Sequence, residues 1–216
     1  GINQSQINTA INYTFASGLR SILRQDPDIV MVGEIRDEET AEMAVHAALT
    51  GHIVLSTLHT NDAAGALPRL VDMGVEPFLI SSSVNTLVAQ RLVRRICQKC
   101  KQEFTMTAEQ ILAIEEIVAN MPKQVKAKLR PIKEYTFLHG VGCDTCNKTG
   151  YKGRQGIFEV LPMSEAIKTL LVKHASASEI NDKAIEEGMV TMQQDGILKV
   201  LAGITTLEEV LVRTKR

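Results

Sequence analysis

Tryptophan is absent from this 216-residue sequence, and aromatic residues of all kinds make up only 4% of it. Binding single-stranded nucleic acid calls for exposed rings for stacking and for a basic surface. With a formal net charge of −1, the composition offers neither and argues against nucleic acid as a partner. No apolar run approaches the roughly 20 residues that span a bilayer, and no leader-like stretch opens the chain. No low-complexity tract interrupts it. The first residue is Gly1 rather than methionine, so the sequence is expected to be a piece of a longer one. Cysteine is scarce: there are four, all in two matched pairs.

Those pairs are Cys97-Gln98-Lys99-Cys100 and Cys143-Asp144-Thr145-Cys146. Two Cys-x-x-Cys knuckles are the ligand set of a closed tetrahedral site, in which each tight turn aims two sulfurs at one point. Disulfides and separate redox motifs are the alternatives. A chain with 44% hydrophobic residues can build a core without staples, and two pairs with no cysteine left over fit a shared metal better. The expectation is structural zinc on Cys97, Cys100, Cys143 and Cys146, tying together stretches separated by residues 101–142. Four paired cysteines and no leader also point to a reducing cytoplasm.

Periodicity divides the chain into two styles. In the first half, Phe15, Leu19, Ile22 and Leu23 share a helical face, and Asp26-Pro27-Asp28 ends it. Ile29–Val32 is a short apolar run that fits a strand buried on both faces of a parallel sheet. Asp37 can cap the next helix, which carries Ala41, Ala44, Val45, Ala48 and Leu49 and ends at Gly51. His52–Thr57 is a second apolar strand, and Asn61 or Asp62 is expected to start a further helix bent by Pro68. Strand, helix, strand, helix with short links predicts an α/β fold. Further on, residues 78–96 read as one long helix, 107–130 as helical and basic, 135–138 and 156–161 as strands. Three capping boxes, Ser176…Glu179, Thr191…Gln194 and Thr205…Glu208, predict a helical bundle at the end.

Glu34 follows the Ile29–Val32 strand, and in open α/β sheets ligands bind beyond the carboxyl ends of the strands. A buried strand that delivers an acid there is how phosphate-binding motors hold magnesium or its water. Arg36 and Asp37 stand at the same edge, and the neighbouring strand delivers Ser56-Thr57-Leu58-His59. Taken alone, an apolar run ending in an acid is weak support for nucleotide chemistry.

Longer motifs add to it. Residues 24–37, Arg-Gln-Asp-Pro-Asp-Ile-Val-Met-Val-Gly-Glu-Ile-Arg-Asp, resemble the Walker B segment of the secretion ATPases, the motors of type II secretion and type IV pilus assembly. Residues 50–62, Thr-Gly-His-Ile-Val-Leu-Ser-Thr-Leu-His-Thr-Asn-Asp, are similar to that family's histidine box. Gln90–Cys97 with the two knuckles resembles the zinc-bearing segment of the extension and secretion members, which retraction members usually lack. Gly150–Glu159 also matches. The resemblance covers nearly the whole chain.

It implies that Glu34 is the Walker B glutamate organising magnesium and water, and that His59 senses the terminal phosphate or meets a neighbouring subunit. It makes His52 the other histidine-box residue, Arg36 a bridge to phosphate or across a subunit boundary, and Arg154 a nucleotide or interface contact. It implies ATP and magnesium as cofactors of a hexameric parent that works at the cytoplasmic face of the inner membrane on a platform protein. The chain would be the distal part of a RecA-type P-loop ATPase sheet (residues 1–96), a tetracysteine zinc subdomain (97–150) and a carboxyl-terminal strand and helical bundle (151–216).

One departure matters. The family's phosphate loop, Gly-x-x-x-x-Gly-Lys-[Ser/Thr], is missing, because the chain contains no Gly-Lys dipeptide, and the family's aspartate box would lie upstream of Gly1. The isolated chain is therefore expected to be inactive. A rival from another class is a zinc-stabilised protein-docking module without catalysis. His46, His139 and His174 read as surface residues. The runs Arg91, Arg94, Arg95, Lys99, Lys101 and Lys123, Lys126, Lys128, Arg130, Lys133 read as solvated faces before docking surfaces.

Overall fold

The computed structural model describes residues 2–215. It divides into two compact units, one running through Leu87 and including Pro162–Ile180, the other comprising Val88–Leu161 and the chain from Asn181 onward.

The first unit begins in the predicted order of helix, strand, helix and strand, with Ile22 and Leu49 of the expected apolar faces left 38% and 40% exposed. Helix α1 (Phe15–Leu23) starts at Thr14, whose side chain and that of Ser17 cap each other's backbone. Strand β1 (Ile29–Val32) follows, then α2 (Glu38–Leu49), capped by Asp37, whose Oδ1 accepts the Thr40 amide at 2.8 Å. Strand β2 (Ile53–Ser56) returns parallel to β1, with Ile29 opposite Ile53 and Val32 opposite Ser56. Val30 and Val32 point into the core, and α1 packs against α2. The other face differs from the expectation of two-sided burial: Ile29, Met31, Ile53 and Leu55 are 60%, 69%, 58% and 53% exposed. Nothing among the described residues forms a second layer over them. An apolar run of this kind specifies a strand, while burial needs a partner on each side.

Helix α3 (Ala66–Asp72) begins later than Asn61 or Asp62. The Asp62 carboxylate instead closes the preceding turn by accepting the Gly65 amide at 2.8 Å. Pro68 falls in the first turn of α3, where its missing N–H has no intrahelical acceptor to lose, so it imposes no bend. The expected long helix over 78–96 is a short helix α4 (Pro77–Ser83) followed by strand β3 (Thr86–Ile96). Three successive serines turn their hydroxyls back onto the Phe78 and Leu79 carbonyls at 2.8 Å, and the helix stops. Beyond it, β-branched Thr86, Val88 and Val93 and an alternation of side chains favour a strand. Helix α7 (Glu165–Val172) packs on α4 and completes this unit, burying Ile167 and Leu171.

The second unit holds most of β3, which is hydrogen-bonded to β6 (Tyr151–Pro162), and a small antiparallel pair, β4 (Lys101–Phe104) with β5 (Phe137–Gly140). The helical stretch 107–130 is α5 (Ala108–Ala119) and one turn, α6 (Lys123–Lys126), separated at Pro122. Helix α8 (Ala177–Glu186) starts at the Ser176–Glu179 box. Helices α9 (Met192–Leu201) and α10 (Leu207–Thr214) pack on each other. Gly196 makes the approach possible, since a Cβ there would lie 2.5 Å from a Val210 methyl. The last helix starts one residue later than expected and without a reciprocal box: Thr206 caps it by accepting the Glu209 amide, while Thr205 turns inward, 1% exposed. Val93, Ile114, Phe137, Ile157, Ile197 and Val210 form the core.

Candidate functional site

Two clusters carry chemistry, one in each unit. At the carboxyl end of the parallel pair, the strands continue into a short lock. The Ile35 amide donates to Thr57 O at 3.0 Å, and Thr57 Oγ1 donates to Gly33 O at 2.8 Å. This holds residues 33–35 beside 57–59, so Glu34 and His59 leave the two strands side by side. Glu34 Oε2 lies 2.6 Å from Arg36 Nε and 3.1 Å from His59 Nε2. An ionised carboxylate only accepts, so Arg36 and His59 Nε2 are the donors. Contact with His59, and after it Arg36, holds the Glu34 carboxyl below the usual carboxylate range against the opposing effect of desolvation. The Glu34 side chain is only partly exposed, whereas Arg36 and His59 reach into solvent. The result is an ionised carboxylate at the tip of a parallel strand, with two cationic or proton-carrying groups on one oxygen. Such a group can order a water or a divalent cation.

His52 does not join this cluster. Its Nδ1 turns back to Ala47 O at 3.0 Å and Thr50 Oγ1 at 3.1 Å, closing the end of α2. Arg154 stands exposed on β6, in the second unit. Thr57 stands at the edge where the sequence places it, and its bond to Gly33, the part the sequence reading lacks, follows from extending the strand register one residue past β2.

The second cluster gathers Cys97, Cys100, Cys143 and Cys146, whose sulfurs all lie within 4.8 Å of one another. The Cys97–Cys143, Cys100–Cys146 and Cys143–Cys146 separations are 3.9, 3.8 and 3.8 Å. Four thiolates around one ion at about 2.3 Å form a tetrahedron with edges of about 3.8 Å. A disulfide would need about 2.05 Å, so the thiols are free, as a shared metal requires. Backbone amides point at the sulfurs. Cys143 N donates to Cys146 Sγ at 3.1 Å, and Gly150 N donates to the same sulfur at 3.3 Å. Burial pushes the Cys100 thiol up to about 12. Burial also acts to raise Cys146, but the Cys143 and Gly150 amides outweigh it and bring that thiol down to about 6. These residues can hold a metal ion.

Glycines let the knuckles close. Gly140 and Gly150 meet backbone to backbone: a Cβ on Gly140 would fall 2.0 Å from Gly150 O, and one on Gly150, at φ +77°, 2.3 Å from Gly140 O. Gly150 O in turn accepts the Cys97 amide at 2.9 Å, so one residue bridges both knuckles. His139, near in sequence to Cys143, packs edge-on to Phe104 with ring centroids 5.3 Å apart and lies outside the cysteine cluster.

Comparison with known proteins extends over the whole chain. It is 50% identical over 214 residues to the type IV pilus assembly ATPase PilB of Myxococcus xanthus, covering 99% of this chain and 36% of that protein. It is 48% identical over 216 residues to the type II secretion system protein E of Dickeya dadantii, covering 100% of this chain and 40% of the relative. Among solved structures it resembles the pilus retraction motor PilT with bound ADP, at a TM-score of 0.61 and 25% identity, over 94% of this chain and 44% of that one. The Legionella pneumophila ATPase DotB shares the fold, at a TM-score of 0.60 and 22% identity over 96% of this chain and 44% of that one. The chain thus spans well under half the length of the relatives it matches. With residues 1–212 matching the family described as type II/IV secretion system protein, this chain belongs to that family.

Proposed function

We propose that this chain is the distal part of a motor ATPase that powers assembly of a type II secretion pseudopilus or a type IV pilus. The observation that supports it best is Glu34 at the carboxyl end of β1, with Arg36 and His59 on the same carboxylate oxygen. In the longer protein, Glu34 would order magnesium or the attacking water, and Arg36 and His59 would hold that carboxylate ionised and aimed. Arg36 would pass its charge to phosphate or to a neighbouring subunit, and His59 would respond to the terminal phosphate. Phosphoryl transfer depends mostly on positioning and charge stabilisation. His52 fits a supporting role at the end of α2, and Arg154 one at a nucleotide or subunit boundary.

Residues 1–96 would serve as the ATPase segment, 97–150 as a structural zinc subdomain and 151–216 as its carboxyl-terminal support. The tetracysteine centre favours an extension or secretion motor over a retraction motor. The assembly would be a homohexamer on the cytoplasmic side of the inner membrane, meeting a platform protein. No helix among the described residues is long and apolar enough to cross a membrane.

Glu34→Gln in the full-length protein is the test. Turnover should fall by about 10²–10⁴-fold, the scale of a lost acid–base or water-ordering group, while ATP binding stays largely intact. Turnover within a few-fold of the unsubstituted protein would count against the reading. The chain by itself is proposed to neither hydrolyse ATP nor bind it tightly, since no Gly-Lys loop is present to cradle phosphates. A one-to-one micromolar complex with Mg-ATP in calorimetry would reveal a phosphate site of another design. A docking module without catalysis is the second reading. It draws on the second unit, which exposes Val88, Leu92, Phe158 and Val160 along β3 and β6.

A further inference from the structure

The carboxyl-terminal helix carries a carboxylate that the function above leaves unused. Glu209 is buried, its side chain only 6% exposed, and three donors from one residue converge on it. Arg94 N reaches Oε2 at 2.9 Å, and Arg94 Nε and Nη2 reach Oε1 at 2.9 and 2.6 Å. The same stretch grips the backbone of β3 twice more. Thr205 Oγ1 donates to Arg94 O at 2.8 Å, and Ile96 N donates to Ile204 O at 2.9 Å. Cys97 comes next in the chain. On the other side, the Arg94 guanidinium lies 4.1 Å over the Tyr151 ring, and the Tyr151 hydroxyl meets Thr206 Oγ1 at 2.9 Å. Tyr151 follows Gly150, the residue that bridges both knuckles.

We propose that Glu209 is a positioning residue of the metal centre, acting through Arg94 to set the entry of the first knuckle. A continuous path supports this. It runs from Glu209 to Arg94, along the backbone to Cys97, across to Gly150 O, and from Gly150 N to the Cys146 sulfur. Helix α10 does not need a buried charge to stay in place, because Leu207 and Val210 already bury it, at 2% and 0% exposure. A carboxylate with three donors from one residue fixes a direction as well as an attachment. Groups beyond the direct ligands orient those ligands, and changing them typically lowers metal affinity about 10–100-fold. The metal centre would then depend on a residue 115 positions from its nearest link.

This inference rests on the metal-binding reading above, and the experiment separates the two. Cobalt(II), followed by its thiolate charge-transfer absorption, and zinc, followed by competition with a chelator, are titrated into the full chain. The variants are Glu209→Gln, which keeps shape and removes charge, and Thr205→Val, which is isosteric and removes the bond to Arg94 O. Glu186→Gln, at an exposed ion pair with Lys183, is the control. Both test variants should keep the four-thiolate spectrum, bind about 10-fold more weakly and release metal faster. The gap in Tm between metal-loaded and metal-free protein should also narrow, while Glu186→Gln changes nothing. If Glu209→Gln fails to fold, Thr205→Val alone decides. Metal-free and metal-loaded forms destabilised equally, with affinity unchanged, would overturn the inference and leave Glu209 as a simple fastening. Failure of the unsubstituted protein to form a tetrathiolate complex would overturn the metal reading and this one with it.

Discussion

The two pairs of long-range strands, β1–β2 and β3–β6, are built from similar residues and end in different states. In β1–β2 Val30 and Val32 are buried and the opposite row, Ile29, Met31, Ile53 and Leu55, lies open. In β3–β6 Val93 and Ile157 of the inner row are fully enclosed with residues of α5, α9 and α10. The outer row there mixes Val88 and Leu92 with Gln90 and arginines. Apolar composition is therefore a poor guide to burial in both pairs, since Val88, Leu92, Phe158 and Val160 of the second are 58%, 49%, 41% and 48% exposed; what differs is how fully the inner row is covered. The second unit brings its own covering layers, while the first shows helices on one side only. The functional groups follow the same division. Glu34 stands on an open sheet edge and would need further groups to act, whereas the four cysteines enclose their site by themselves.

Removing the metal should separate the two regions most sharply. Ligand-set loss by Cys97→Ser or Cys143→Ser, or stripping by a chelator, forfeits binding free energy that in small thiolate sites is of the order of 10 kcal/mol. Hydrogen exchange should then become fast over residues 97–150 and remain slow in α1, α2, β1 and β2. Equal loss of protection in both units would erase the distinction. The elemental content of protein purified without chelator should be one zinc per chain.

Gly150→Ala tests how tightly the knuckles close. The substitution places a methyl group 2.3 Å from Gly140 O and forces a left-handed backbone on a residue with a Cβ. A loss of at least about 1–3 kcal/mol is expected from the strained backbone alone, read as a lower denaturation midpoint of the second unit. An unchanged midpoint would mean that the approach of Gly140 and Gly150 is looser than it stands here.

The smallest effect on stability belongs to the open face. Leu55→Lys places a charge among exposed side chains, so the denaturation midpoint should move by no more than about 0.5 kcal/mol. Sedimentation should nevertheless show less self-association, because a contiguous exposed apolar face promotes it. A large loss of stability would show that a layer covers Leu55 in solution.

Much of the site was legible because the signals are local. Cys-x-x-Cys fixes the geometry of each knuckle within four residues, and the paired knuckles predict a common centre that the 3.8–3.9 Å sulfur separations support. The Asp37 cap and the Ser176 and Thr191 starts depend on groups within three residues of each other. Residues 78–96 misread as a helix because short apolar runs satisfy helical and strand periods alike. The stop lay in the hydroxyls of Ser81–Ser83, whose bonds to carbonyls one turn back are not distinguishable from ordinary helical serines in sequence. The expected Thr205–Glu208 box is replaced by a plain Thr206 cap for a tertiary reason: Arg94 takes the Thr205 hydroxyl and the Glu209 carboxylate.

By itself the sequence determined the order of elements from α1 to β2, the parallel α/β pattern, the two cysteine pairs that gather into one cluster and the placing of Glu34 and His59 at strand ends. Each of these is set by periodicity, capping or spacing within a few residues. Tertiary structure alone decided that Glu34, Arg36 and His59 share one oxygen while His52 turns away. It alone decided that one face of β1–β2 stays open and that Glu209 grips Arg94 beside the first knuckle. The physical reason is the same in each case: burial and ion pairing depend on which surfaces meet across long loops, and a chain's local pattern carries no record of its distant neighbour.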